Sequence, residues 1–209
     1  QTLSQELRRI LIATQDLGFI PEHMMVKQRQ QGTAKFEPEY LEAARNTWIF
    51  ARDGEATPAS LIKSDDPVLR WWAAQAILTR SRMTREGIGW RSNQTDGGVR
   101  VQLARSVLLD AGDDSALQSG GYDRPNPWDV LLQRAGPRES NYFIRLLAWQ
   151  ALDEAIVHGQ HNRFIQRRAT PEFRITVAAI PTDHPDLDGA FKNYLPRLKE
   201  KVLAELARD

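Results

Sequence analysis

Cysteine is absent from the chain. Its absence removes disulfides, thiolate metal sites and cysteine nucleophiles together, yet leaves the compartment open, because cysteine-free proteins occur on both sides of membranes. Net charge is nearly absent too. Lys and Arg number 28 against 27 Asp and Glu, so no net field draws the chain toward nucleic acid or anionic lipid. No apolar run approaches the roughly 20 residues that a membrane helix needs, and the period-two alternation of a half-buried strand does not appear. A starting Met and a secretory pattern are also missing. Gln1 opens almost directly into a helical pattern, so the chain is expected to be an excised or processed piece of something longer.

What is present is ordinary globular material. The 209 residues are 41% hydrophobic and 26% charged, long enough and apolar enough to bury a core as one domain or one repeat array. The apolar spacing is helical nearly throughout. Leu3, Leu7, Ile10 and Leu11 mark one face of a first helix, with Thr2 and Gln5 placed for a capping box. Gly18 and Pro21 interrupt it, and the Gln-rich stretch 26–35 reads as an exposed loop. A second helix starts near Glu37, carries Leu41, Ala44 and Trp48 inward, and ends at Asp53-Gly54. Thr57-Pro58, Asp66-Pro67 and Asn126-Pro127 each pair a capping residue with a proline at the first helical position. The run 173–180 suits a short extended piece. A closing helix over 187–206 carries Phe191, Leu195, Leu198, Val202 and Leu206, with Pro196 as a possible kink.

One pattern recurs. Asp66 precedes Arg70 by four residues, Asp96 precedes Arg100, and Asn141 precedes Arg145. Four residues after each Arg stands Ala74, Ala104 or Trp149, in bodies that are apolar nearly all round. An Asp or Asn at the helix start accepts from the orphan amides of the first turn. The Arg one turn on can reach back to that cap or sideways to the next repeat. Helices apolar on all sides are sandwiched between neighbours, and self-similarity of this kind is the mark of a helical solenoid. Asp66, Arg70, Asp96, Arg100, Asn141 and Arg145 are therefore read as a structural ladder. The expected fold is all-α, a short HEAT-like or armadillo-type helical repeat with irregular loops. Its divisions are an N-terminal helix and linker over 1–35, repeats over 36–160, and a wrapping loop with a C-terminal helix over 161–209.

The segment 65–74 resembles a HEAT-type repeat. More narrowly, it is similar to a helix opening with Asp-Asp-Pro in the C-terminal extension of many bacterial sulfatases. The stretches 16–22, 40–50, 99–111 and 141–154 agree in order, so the resemblance covers residues 1–158. It departs from the family over 84–94 and 122–140, and the tail 161–209 matches nothing. The resemblance implies a domain that follows a catalytic α/β domain, in a periplasmic or secreted enzyme. Sulfatase chemistry needs a Cys or Ser in a C/S-x-P-x-R motif, oxidised to formylglycine beside a divalent cation. No such motif is present, so no catalytic residue, cofactor or metal is assigned to this chain, and the catalytic set is expected upstream of Gln1.

Other constellations carry less. Ser60 and Lys63 fit S-x-x-K, but the companion K-T-G is missing. His158, His161 and His184 could be imagined around a metal, yet Gly159 breaks the helix between the first two and no thiolate joins them; His158 is read in a last helical turn and the others on the surface. Trp71 and Trp72 cannot face one way on a helix, so one belongs to the core and the other to a groove. An exposed Trp beside Arg suits stacking on sugars or bases. Trp71, Trp72, Trp90, Arg167 and Arg168, within a basic run that also holds Arg163 and Arg174, make the candidate binding surface.

The function expected on these grounds is a non-catalytic helical-repeat domain of a sulfatase-like hydrolase. It would pack on the catalytic domain of the same protein or mediate protein interaction or oligomerisation. The alternative is a free-standing HEAT-like scaffold that binds a protein partner. A nucleic-acid enzyme built on HEAT-like repeats needs uncompensated basic residues, which the charge balance denies.

Overall fold

Helix follows helix along the computed structural model, which describes residues 3–15, 17–53, 59–80, 96–110, 126–159, 170–184 and 193–208. In chain order the elements are α1 (Leu3–Thr14), a 3-10 turn (Leu17–Phe19), α2 (Glu22–Gln30), α3 (Pro38–Asp53), α4 (Ala59–Ile62) and α5 (Pro67–Arg80). Then come α6 (Gly97–Asp110), α7 (Pro127–Ala135), α8 (Tyr142–Gly159), α9 (Pro171–Ala179) and α10 (Tyr194–Glu205). Among the described residues there is no strand. The protein is all-helical, as the spacing requires.

The chain divides by contact into two units, residues 1–76 and 77–209. In the first, Ile20, Met24, Tyr40, Leu41, Ala43, Ile62, Val68, Ala73 and Ala74 are buried. Polar bonds fix the register. The Thr47 hydroxyl donates to the Trp72 carbonyl at 2.9 Å, tying α3 to α5, and the Tyr40 hydroxyl donates to Asp66 Oδ2 at 2.9 Å.

In the second unit α8 lies against α6, α7 and α10. Its Ala148, Trp149, Ala151, Leu152 and Ala155 have no exposed surface, so one whole face of this helix is enclosed. One core joins Val101, Ala104 and Leu108 of α6 to Trp128, Val130 and Leu131 of α7, and to Val177, Leu195 and Val202 further on. Burying each large apolar side chain here contributes about 1.5–3 kcal/mol relative to leaving it in water. Gln102 and Ser106 are buried as well, and the Ser106 hydroxyl is satisfied by the Leu103 carbonyl at 2.8 Å.

Three local expectations are corrected. The stretch 26–35 is not wholly loop: α2 runs through Gln30, and the chain turns at Gly32, whose φ of 65° suits glycine. The run 173–180 is not extended. Thr170 caps α9 by accepting from the Phe173 amide, and Pro171 starts that helix at its first position. Pro196 falls in the first turn of α10, where its missing N–H costs nothing, so it starts the helix and does not kink it. Thr2, Thr57, Pro58, Trp90, His161, Arg163, Arg167, Arg168 and Phe191 lie outside the described residues, as does the whole of the departure over 84–94.

Candidate functional site

The three capped helices share one geometry. Asp66 Oδ1 accepts from the Val68 amide at 2.7 Å and the Leu69 amide at 3.4 Å. Asp96 Oδ1 accepts from the Val99 amide at 2.9 Å. Asn141 Oδ1 accepts from the Phe143 amide at 3.0 Å and the Ile144 amide at 3.3 Å. In each, the arginine one turn on closes the first helical bond to the cap's carbonyl, at 3.2 Å for Arg70, 3.1 Å for Arg100 and 3.1 Å for Arg145.

The guanidinium groups then diverge. Arg70 turns back on its own approach loop and donates through Nη1 to the carbonyls of Ser64 and Asp65, at 2.7 and 2.8 Å. Arg145 is 1% exposed and serves three carbonyls: Ala135 from Nε at 3.3 Å, Asp183 from Nη1 at 2.7 Å and Pro181 from Nη2 at 2.6 Å. Burial lowers its pKa, with Asp183 and Glu139 pulling the other way. Arg100 is half-buried, with no hydrogen-bond acceptor at Nε. Its pKa is lowered by burial and by the neighbouring charge of Arg134.

Arg134 is itself committed. Its Nη1 donates to Glu139 Oε2 at 2.7 Å, while Glu139 Oε1 accepts from the Asn141 amide at 3.0 Å. This pair sits over Gly97 at the start of α6: a Cβ there would stand 3.2 Å from both Arg134 Nη1 and Glu139 Oε2, and 3.0 Å from the Ile144 side chain. The glycine is what lets α7 and α8 approach α6 so closely.

Both tryptophans of α5 turn toward the segment 17–24. The Trp72 indole N–H donates to the Phe19 carbonyl at 2.9 Å, and Trp71 packs against the buried His23 with ring centroids 5.0 Å apart. Both keep partial exposure. His184, expected on the surface, is instead buried: its Nε2 bonds the Ser140 carbonyl at 3.0 Å and its ring meets Tyr142 edge-on at 5.7 Å. Among the described residues no three His, Cys, Asp or Glu side chains converge as metal ligands, and no helix is long and apolar enough to cross a membrane. Ser60 and His158 have side chains outside the described set.

The first unit also carries a groove of 840 Å³ between α1 and α3, lined by Leu7, Leu11, Phe19 and Leu41 with Arg8, Glu42 and Arg45 among its polar walls. The Arg8 Nε donates to Glu42 at 2.6 Å. Leu7 is 54% exposed and Ile10 44%, so α1 shows apolar surface beside this groove.

Two fastenings escaped the sequence reading. Thr170 and Arg174 repeat the four-residue offset of the other caps, with the Arg174 amide bonded to the Thr170 carbonyl at 3.0 Å. Lys199 donates to the carbonyls of Ala178 and Ile180 at 2.6 Å each, satisfying the end of α9 as a C-terminal cation does. Neither fastening interrupts hydrophobic periodicity, so only the offset rule could have found the first. Comparison with family models, with curated proteins and with solved structures gave no match to this chain.

Proposed function

We propose that the chain is a non-catalytic helical-repeat domain of a sulfatase-like hydrolase, similar to the HEAT-like C-terminal extension of the bacterial enzymes, which packs on the catalytic domain or mediates protein interaction. The observation that carries the repeat part of this reading is the common start of α5, α6 and α8: an Asp or Asn cap, an arginine whose amide closes the first turn, and a fully buried residue at Ala74, Ala104 or Trp149. The sulfatase part rests on the sequence resemblance over residues 1–158 alone. The side chains with the most chemical capacity are already used in holding backbone. Arg145, Arg70 and Lys199 donate to carbonyls, and the Trp72 indole does the same. Groups so occupied organise a scaffold and do not turn over substrate.

The purified chain should bring no hydrolysis to an aryl sulfate, and measurable turnover would end the non-catalytic reading. The parent assignment is tested separately, by reading the coding sequence upstream of Gln1 for a C/S-x-P-x-R motif. A second reading, a free-standing scaffold for a protein partner, is favoured by the apolar groove between α1 and α3 with its polar walls. A Met codon at this point, with no upstream motif, would select it.

A further inference from the structure

We propose that the groove between α1 and α3 receives an amphipathic helix from a protein partner, one that carries carboxylates along the margins of its apolar face. The proposal rests on the protein-partner reading above and names what that partner must present.

The first helix is amphipathic, yet its apolar face is only partly covered. Leu7 is 54% exposed and Ile10 44%. Leu7 and Leu11 line a groove of 840 Å³ that Leu41 of α3 lines as well. Half-covered leucines beside an apolar cleft are what helix-in-groove recognition uses. The walls are helices, whose main-chain groups bond within themselves, so they offer no edge to an extended strand. An extended peptide would bring its own N–H and C=O groups unpaired into apolar surroundings. A helix arrives with those bonds already made.

Charge then selects the helix. The charged residues lining the groove are Arg8, Arg45 and Glu42, two guanidinium groups to one carboxylate. Arg8 Nε takes Glu42 Oε1 at 2.6 Å, while Arg45 Nη1 stands 3.7 Å from Oε2, too far for a hydrogen bond. Arg9 is matched on its own helix by Glu6 at 2.6 Å, so that pair leaves the balance unchanged. Among the described residues nothing else pairs with Arg45, which is 58% exposed. Its planar fork is open to a carboxylate. Exposed ion pairs add little affinity, so burial of leucine surface holds the partner and Arg45 sets its charge preference.

The test uses the full chain and a fluorescein-labelled peptide of about 18 residues, long enough to form a helix, with leucines at helical spacing and glutamates flanking them. Fluorescence anisotropy should report binding. A version with lysine in place of glutamate should bind about tenfold more weakly at low salt, and the gap should narrow as salt rises. A shuffled peptide of the same composition, lacking an apolar face, should not bind. Leu7→Gln should weaken binding about tenfold, and Arg45→Gln should erase the preference for glutamate over lysine. Both side chains are more than half exposed, so both variants should keep the helical circular dichroism of the parent chain. Equal binding of the two charged peptides, or binding of neither, overturns the proposal, as does undiminished binding by Leu7→Gln. A dimer of the free chain that Leu7→Gln dissociates also overturns it, because a second copy then fills the groove. The scaffold reading stands or falls separately, on the coding sequence upstream of Gln1.

Discussion

Arg145 shows how a single side chain can organise its surroundings. Its three donors meet three main-chain carbonyls, one in the interior at Ala135 and two in the connection after α9 at Pro181 and Asp183. Replacing it with Met removes all three bonds while roughly keeping the packing, and hydrogen bonds made by a charged group contribute about 1.5–3 kcal/mol each where they are buried. Arg145→Met should therefore lower stability by about 3 kcal/mol or more in urea unfolding; a loss below about 1 kcal/mol would mean that the carbonyls find other partners. Tyr40 gives a pH-dependent counterpart. Its pKa is raised by burial first and by the bond to Asp66 second. The folded chain then holds the phenolic proton more tightly than the unfolded chain does. The associated stability is complete below the unfolded value of about 10 and declines as the pH climbs above it. Tyr40→Phe should flatten that alkaline decline relative to the parent chain, and an unchanged slope would show that Tyr40 does not report on folding.

At the level of elements, helix starts were the most legible feature of the sequence. Asp66, Asp96, Asn126 and Asn141 all cap through their own side chains, because the short polar side chain can reach the first-turn amides only from that one position. Asp66→Ala and Asn141→Ala should each cost about 1 kcal/mol in chemical denaturation, with little change in helical circular dichroism. The cost at Asp66 should exceed that at Asn141, because the Tyr40 hydroxyl also loses its acceptor. What the sequence hid was decided by tertiary contact. The stretch Phe173–Ala179 has β-branched residues that suit a strand, but Thr170, Pro171 and Lys199 pin both ends of a helix there. Lys199 lies 19 residues from Ile180, so no local rule reveals that cap. The fates of Arg70, Arg100 and Arg145 were hidden for the same reason, since an identical offset places the amides alike while distant loops choose what each guanidinium meets.

For the whole molecule, the all-helical class was readable because helical periodicity recurs along most of the chain and needs no long-range information. Function was much less legible, because among the described residues Arg70, Trp72, Arg145 and Lys199 are used in backbone support, and no motif in the sequence marks a reaction. Among the described residues, the second unit's main core draws on residues from Val101 to Val202. A fragment spanning 96–209 should accordingly fold alone, with a cooperative thermal transition and native helicity; a featureless melt would show that it needs the first unit.

The way Arg145 and Lys199 grip the chain near Ile180 has a practical consequence for handling the protein. Together with the Lys201–Asp153 pair at 2.5 Å, they fasten α10 to α8 and α9 to α10. A protease site engineered between 159 and 170 should sever the polypeptide without releasing its last forty or so residues. The two pieces should migrate as one species on a sizing column and part only in denaturant.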